Sequence, residues 1–438
     1  MSIDRRTFVK GATAGAVGSG LTFSTQTAAG YRRILGANEK IVVGFVGTGG
    51  MGRSNLKDFL KMPEVDVTAV CDVFQGNLDQ ALKMTDGKAT GLKDFRQVID
   101  RRDVDVVVVS TPDHWHALPM IYACDAGKDV YVEKPVSLTI EEGRRMVQAA
   151  RRNKRVVQVG TQQRSGKHFQ HAAELVRTGK IGKVSYVRAW NFANQLQEGI
   201  GNPPDTAPPA DLDWEMWLGP APKVPYNKNR ALNTFRWFWD YAGGKLTDWG
   251  VHLLDVVQWA MGVEYPQAVT ASGGKFHLKD NRETPDTLMV TYEYPGFLCT
   301  YENRECNGTP LNGKDYGIMF HGTDGTLFVD RGGFEIIPDQ RRGKDKQMVN
   351  LMEPMKEANS NDQHLTHVRN FFDCVKSREM PASDIEIAHR STSTCHLGNI
   401  ALRTNSKVMW DGKKEEIIGN AAASRLLRKE YRKPWKLS

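Results

Sequence analysis

The chain has 438 residues, 40% hydrophobic and 25% charged, with a formal net charge of +8. This is an ordinary soluble composition with ample apolar material, and the length favours two or three domains over one. The basic residues are scattered and no basic face with interleaved aromatics is seen, which argues against a nucleic-acid partner; the dense run RLLRKEYRKPWK (425–436) reads as a solvated basic end. Cys71, Cys124, Cys299, Cys306, Cys374 and Cys395 show neither a CxxC nor zinc spacing and read as mostly buried free thiols.

The first residues, MSIDRRTFVKGATAGAVGSGLTFSTQTAAG, place Arg5-Arg6 before a weakly apolar Gly/Ala-rich stretch and small residues at Thr27-Ala28-Ala29. They resemble a twin-arginine export signal, residues 1–29, and predict an exported protein, most simply periplasmic. The stretch is too short and Gly-rich to span a bilayer, and no other segment approaches the required length, so no transmembrane segment is expected.

From residue 39 apolar strands alternate with helical stretches. KIVVGFVG (40–47) is a strand, 53–62 a helix with Leu56, Phe59 and Leu60 on one face, and VDVTAVCD (65–72) the next strand. VDVVVVST (104–111), DVYVEKP (129–135) and RVVQVGTQQR (155–164) continue the series. Near-continuous valine strands between helices predict a parallel sheet covered on both faces. The turn Gly47-Thr48-Gly49-Gly50-Met51-Gly52 follows a strand and opens a helix. Gly47 allows the tight turn, Gly49 the approach of a pyrophosphate, and Gly52 close helix–strand packing. Asp72, at the end of the second strand, is placed to accept ribose hydroxyls and to repel a 2′-phosphate, which favours NAD over NADP. A Rossmann domain is therefore expected over 38–162. Further cofactor-binding candidates lie at strand carboxyl ends: Ser110, Thr111, Pro112, His114, His116, Glu133, Lys134 and Gln162. His114 and His116 are read as packing beside the nicotinamide, not as a metal pair.

Beyond 163, VSYVRAWNF (184–192), AVTASGGKF (268–276), TLMVTYEY (287–294) and FLCTYEN (297–303) alternate as half-buried antiparallel strands. Residues 362–372 form an amphipathic helix and 386–402 a second one. The long Pro-rich segment of about 195–235 holds Trp214, Trp217 and Tyr226, and Trp237, Trp239 and Tyr241 follow it. It reads as an ordered cover over a pocket, with an aromatic interface or a small subcore as the other reading of the same residues. In LTDWGVHLLD, Asp248 and His252 stand four apart, on one face of a helix, with Asp248 near its start.

The glycine turn, Glu133-Lys134-Pro135 after TPDHWH, and GGKLTDWGVHLLDVVQW (243–259) together resemble the glucose-fructose oxidoreductase / inositol dehydrogenase / MocA family, over nearly the whole chain after the signal. The resemblance implies an α/β protein. An N-terminal Rossmann dinucleotide-binding domain is followed by a C-terminal α/β domain (163–438) with a large, mostly antiparallel sheet. It also implies a homo-oligomer through that sheet, and a helix near 386–402 packing back toward the cofactor. It implies an NAD-dependent oxidoreductase acting on a secondary alcohol of a sugar, glycoside or cyclitol. Lys134, Asp248 and His252 become the catalytic set: His252 takes the hydroxyl proton, Lys134 polarises the oxygen and Asp248 orients. No metal is required. Arg164, Tyr226 and Arg230 are candidate substrate contacts beside these three. Two alternatives accompany this reading. One is redox-neutral glycoside cleavage through oxidation, elimination and reduction; the α-N-acetylgalactosaminidases that do this carry a YPTHG-type motif, where this chain has TDWGVH. The other is a non-catalytic sugar or nucleotide sensor, against which the presence of Lys134, Asp248 and His252 counts.

Overall fold

Six strands, β1 (Ile41–Val46), β2 (Val65–Cys71), β3 (Thr90–Leu92), β4 (Val106–Val109), β5 (Asp129–Val132) and β6 (Val157–Val159), pair in parallel in the order β3-β2-β1-β4-β5-β6. They belong to a computed structural model that describes residues 40–437. The segment read as an export signal lies outside the described residues. Strands β1, β4 and β5 are buried throughout, because both faces of the sheet are covered. One face carries the helices Gly50–Phe59 and Gln363–Ser377, whose Phe59 and Phe372 meet with ring centroids 5.2 Å apart. The other carries Ala117–Asp125 and Ile140–Arg152, the latter opened by a Thr139/Glu142 capping box. The first helix starts at Gly50, three residues earlier than expected, so the glycines form its first turn.

The second sheet has ten strands. It is built from β7 (Tyr186–Phe192), β8 (Ala268–Gly274), β9 (Thr287–Tyr294), β10 (Phe297–Arg304), β11 (Tyr316–His321), β12 (Gly325–Asp330) and β13 (Gly333–Pro338). A separate ribbon, β14 (Gln340–Arg342) and β15 (Met348–Asn350), precedes β16 (Met355–Ala358), β17 (Val408–Asp411) and β18 (Glu416–Ile418), which complete it. The order is β16-β13-β12-β11-β7-β10-β9-β8-β17-β18, antiparallel except between β7 and β10. Alternate residues of β9 and β10 turn inward onto the helices Lys167–Arg177, Val251–Met261 and Ile385–Thr404. The last of these is longer than the expected 386–402, is capped by Asp384, and packs on the helix Ile140–Arg152 as well as on β8. It ties the two sheets together. No helix among the described residues is long and apolar enough to cross a membrane.

The Pro-rich segment folds around its own small core. Trp214 stacks on Trp217 at 4.8 Å, Tyr226 meets Trp214 edge-on at 5.2 Å, and Trp237, Phe238 and Tyr241 fill the rest. It adheres to the first sheet through Gln75 N–H to the Asp211 carbonyl (2.9 Å) and Asp213 N–H to the Val73 carbonyl (3.1 Å). The basic tail is not a solvated end. Arg432 donates to the carbonyls of Gly219 (3.0 Å) and Ala221 (2.9 Å) and pairs with Glu215; Lys429 pairs with Asp240 (3.0 Å); Trp435 packs edge-on against Trp115 at 4.8 Å. The acidic partners lie too far away in sequence for a charge-run reading to find them.

Candidate active site at the cofactor cleft

The strand order reverses between β1 and β4, the place where open α/β sheets bind ligands. A cavity of about 530 Å³ opens there. At its floor, Gly47 has φ +86°, and a Cβ on it would lie 2.7 Å from the backbone of Ser110; a Cβ on Gly52 would lie 2.1 Å from the Gly47 carbonyl oxygen. Both glycines serve close backbone packing. Gly50 has open space where a side chain would stand and a Cβ on Gly49 would meet only Asn77 Nδ2, at 3.9 Å, at the N-terminus of the helix Gly50–Phe59. An uncapped helix start with unhindered backbone suits a pyrophosphate. The residues present therefore fit a dinucleotide.

Gly47, Gly49, Gly50 and Met51 line this cavity, with Asp72 from the end of β2, Ser110, Thr111 and Pro112 after β4, and Glu133 and Lys134 after β5. Asp72 is already engaged. Its carboxylate accepts Thr48 N–H (2.8 Å), Thr48 Oγ1 (3.2 Å), Phe74 N–H (2.9 Å) and Asn77 Nδ2 (3.4 Å), while burial pushes its pKa up. It braces the turn at the ribose end. Arg53 and Lys93 line the same cavity.

Glu133 faces inward. Asn55 donates to it (2.9 Å) and also to Ser110 Oγ (3.2 Å), so one amide joins the ends of β4 and β5 to the first helix. Lys134 points across the cavity to Asp248, donating to its carboxylate (2.9 Å) and its backbone carbonyl (3.1 Å). Asp248 does not cap a regular helix. It sits in a wide π-type turn, Leu246–Gly250, that runs into the helix Val251–Met261. Gly250 permits this: a Cβ there would lie 2.9 Å from Leu246 Cδ1 and 3.2 Å from the Tyr301 ring. Such local widenings recur at functional sites. Arg236 Nε stands 3.5 Å from the other carboxylate oxygen of Asp248. Burial opposes charge on this carboxylate, but Lys134 and Arg236 overcome it and hold its pKa well below the usual range. Burial likewise opposes charge on Lys134, and Asp248 and Glu133 outweigh it. The pair is ionised at neutral pH.

His252, one turn beyond Asp248, does not line the cavity. It is buried, its Nδ1 has no partner among the described residues, and burial, with Lys134 and Arg331 adding to it, keeps the imidazole neutral.

Several expected contacts are structural. His116 is latched between the carbonyls of Pro135 (2.6 Å) and Thr111 (2.9 Å), and His114 meets the Trp217 carbonyl (3.0 Å). Both are buried outside the cavity lining, because the loop turns after Pro112 into a short 3-10 helix and the ring nitrogens are used to hold it. Gln162 is buried against the Tyr131 hydroxyl (3.4 Å). Arg164 forms a fully buried fork with Asp255, at 2.7 and 3.0 Å, over the Trp259 ring, so it is unavailable to a substrate. Tyr226 belongs to the aromatic subcore, and Arg230 lies over Phe238 beside Glu283. Gly52 packs instead of touching a ligand. Sequence reasoning missed Asp113, Arg236 and Asn77, which all line the cavity, as does Trp217 of the segment read as its cover. Burial, with Lys134 opposing, pushes the Asp113 carboxyl up to about 7. A strand-end position between Pro112 and His114 was the available signal for Asp113; nothing local marked Arg236, which reaches the site only through the folding of the Pro-rich segment.

A family model described as "Oxidoreductase family, NAD-binding Rossmann fold" matches residues 41–161, and one described as "Oxidoreductase family, C-terminal alpha/beta domain" matches 176–437. Among curated proteins, a "Glycosyl hydrolase family 109 protein" of Shewanella sp. (strain W3-18-1) is 30% identical over 209 residues, 43% of this chain and 46% of the relative. The match thus spans less than half of that relative. Among solved structures, the WlbA dehydrogenase from Bordetella pertussis, in complex with NADH and UDP-GlcNAcA, superposes with a TM-score of 0.64 at 19% identity, covering 85% of this chain and 99% of that one. A levoglucosan dehydrogenase in complex with NADH and levoglucosan gives 0.62 at 18% identity, covering 84% and 99%. At these identities the likeness is one of fold.

Proposed function

Because the chain belongs to the Gfo/Idh/MocA oxidoreductase family, we propose that it moves hydride between a secondary alcohol of a sugar, glycoside or cyclitol and NAD. The observation that carries the reading is the ionised Lys134–Asp248 pair at the mouth of the dinucleotide cleft. A nicotinamide bound there supplies the hydride acceptor. Lys134 donates a hydrogen bond to the reacting oxygen and stabilises its developing negative charge. Asp248 holds the ammonium in place and binds a neighbouring hydroxyl. By the family resemblance His252 receives the hydroxyl proton; it lies buried one turn beyond Asp248 and outside the cavity lining, so this role requires the substrate hydroxyl to reach its unpartnered Nδ1. Replacing Lys134 by Met leaves Asp248 beside Arg236 and so spares the fold, yet should lower kcat/KM by about 10²–10³-fold. Unchanged turnover in that variant would remove the assignment.

A second reading, redox-neutral glycoside cleavage through transient oxidation, is favoured by the name of the curated relatives and by a cleft roofed by the Pro-rich segment and tail. It predicts release of the aglycone from a chromogenic glycoside with no net gain of reduced cofactor. The TDWGVH motif in place of a YPTHG type counts against close identity of mechanism.

We further propose NAD over NADP, on Asp72. Arg53 and Lys93 at the same end argue the other way, and comparing binding of the two cofactors decides it. Self-association through the ten-stranded sheet is supported by the exposed Met289 and Leu298 on its outer face; a monomer in light scattering would exclude it. Export by the twin-arginine route rests on the sequence of residues 1–29, with Arg5-Arg6 before a Gly/Ala-rich stretch and small residues at Thr27-Ala28-Ala29, and retention in the cytoplasm of a twin-arginine-competent cell would oppose it.

A further inference from the structure

Arg331 lies on the turn between β12 and β13. Its guanidinium rests over the Trp249 ring at 4.7 Å. Trp249 directly follows Asp248 in the chain, and its ring also meets that of His252 at 6.2 Å and that of Tyr316 at 5.1 Å. Arg331 is therefore one aromatic ring away from the proposed proton acceptor. Its Nε is buried and has no acceptor, and among the described residues no carboxylate lies within ion-pair distance of the guanidinium. The Tyr316 hydroxyl accepts only the backbone N–H of Arg331 (3.3 Å).

The neighbourhood does not supply a counter-charge. Asp248 is committed to Lys134 and shared with Arg236, whose Nε is also buried without a good hydrogen bond. The charge of Arg331 is felt at His252 and at His364, and it lowers the proton affinity of both. Arg331 is half-buried, and a guanidinium N–H withdrawn from water without an acceptor, as its Nε is, is destabilising until something accepts from it. The two arginines buried among the described residues, Arg164 and Arg282, are matched by Asp255 and Asp280.

We infer that the substrate carries a carboxylate and that Arg331 receives it, so that the enzyme acts on a uronic acid or its glycoside in preference to the neutral sugar. The planar fork of arginine matches a carboxylate in two parallel hydrogen bonds. Trp249 touches both the guanidinium and the His252 ring and follows Asp248 directly, so Arg331 stands beside the Lys134–Asp248 pair on the His252 side. Arg331 is on this account a specificity-determining residue, and the inference rests on the proposed oxidoreductase reading of the same site.

The test uses the full chain loaded with NAD and follows Trp fluorescence during titration with D-glucuronate, D-galacturonate and the parent sugars glucose and galactose. At least one uronate should bind tenfold or more tightly than its parent sugar. Arg331→Met should weaken that uronate by about 30-fold and leave the neutral sugar unchanged, and Arg331→Lys should keep part of the preference. Equal binding of acid and sugar, or a preference that survives Arg331→Met, overturns the inference. Competition by inorganic phosphate at concentrations where acetate has no effect would overturn the carboxylate assignment in favour of a phosphorylated ligand. If Arg331→Met fails to fold, the native acid-to-sugar ratio and the Arg331→Lys variant decide alone. Turnover of neutral sugars without uronate preference sinks this inference and spares the function; uronate binding without any turnover does the reverse.

Discussion

Arg164 is the residue on which sequence and structure differ most usefully. Its side chain is buried with Asp255 in a two-bond fork, at 2.7 and 3.0 Å, and Ser391 Oγ donates to the same carboxylate at 3.1 Å. Replacing Arg164 by Met leaves that carboxylate buried with one weak donor, a situation that costs about 3–5 kcal/mol. A cooperative unit of about 400 residues unfolds with roughly 0.8 kcal/mol per degree, so the melting temperature should fall by about 4–6 °C. Pairing Arg164→Met with Asp255→Leu removes both charges and should restore most of the loss. Thermal unfolding of the three proteins measures this, with steady-state kinetics alongside. An Arg164→Met protein of native stability but with a much raised KM would refute the reasoning and return Arg164 to the substrate.

Gly52→Ala puts a methyl 2.1 Å from the Gly47 carbonyl oxygen, so it should open the turn and weaken NAD binding at least tenfold, read by quenching of Trp fluorescence. Truncation after Leu427 removes the clamp made by Lys429, Arg432 and Trp435 and uncovers Trp115; the emission should shift to the red and the segment 195–235 should become the first site of limited proteolysis. Asp113 gives a pH signature. Its folded pKa, about 7, lies above an unfolded value near 4, so the folded protein binds the extra proton between those limits. The stability it contributes is full below about pH 4 and is lost as pH rises toward 7. Asp113→Asn should flatten that part of the stability profile, and an identical profile in the variant would show that the carboxyl does not titrate there.

The first sheet was legible because its strands declare themselves: the valine runs of β1, β4 and β5 admit only a doubly covered parallel sheet. The glycine turn, Glu133-Lys134 and Asp248 were legible because strand ends and glycines restrict where a ligand can sit, and Gly47, Gly49, Gly50, Glu133, Lys134 and Asp248 all line the cleft. The histidines of TPDHWH were misleading, since a loop has no fixed period and their rings turned inward to hold backbone carbonyls. Arg164 could not be sorted by type, because a polar side chain near a strand end serves a ligand or a buried partner equally well and Asp255 lies 91 residues away, and Tyr226 could not because an aromatic ring in an irregular segment fills a subcore or a pocket wall equally well. Arg236 and the tail were illegible for the same reason: their partners meet them only after the long irregular segment has folded. The uncapped, widened turn at Asp248 breaks the i, i+4 expectation locally while keeping His252 one turn on.

The most direct test of the central claim is absorbance at about 340 nm, where reduced nicotinamide absorbs, for the protein supplied with NAD and a panel of sugars, uronates and chromogenic glycosides, with Lys134→Met in parallel. A lasting rise with at least one compound, absent in Lys134→Met, is the predicted result. Release of an aglycone without a lasting rise, again dependent on Lys134, would move the reaction to redox-neutral cleavage at the same site. Equal signals from both proteins would contradict the assignment of the Lys134–Asp248 pair.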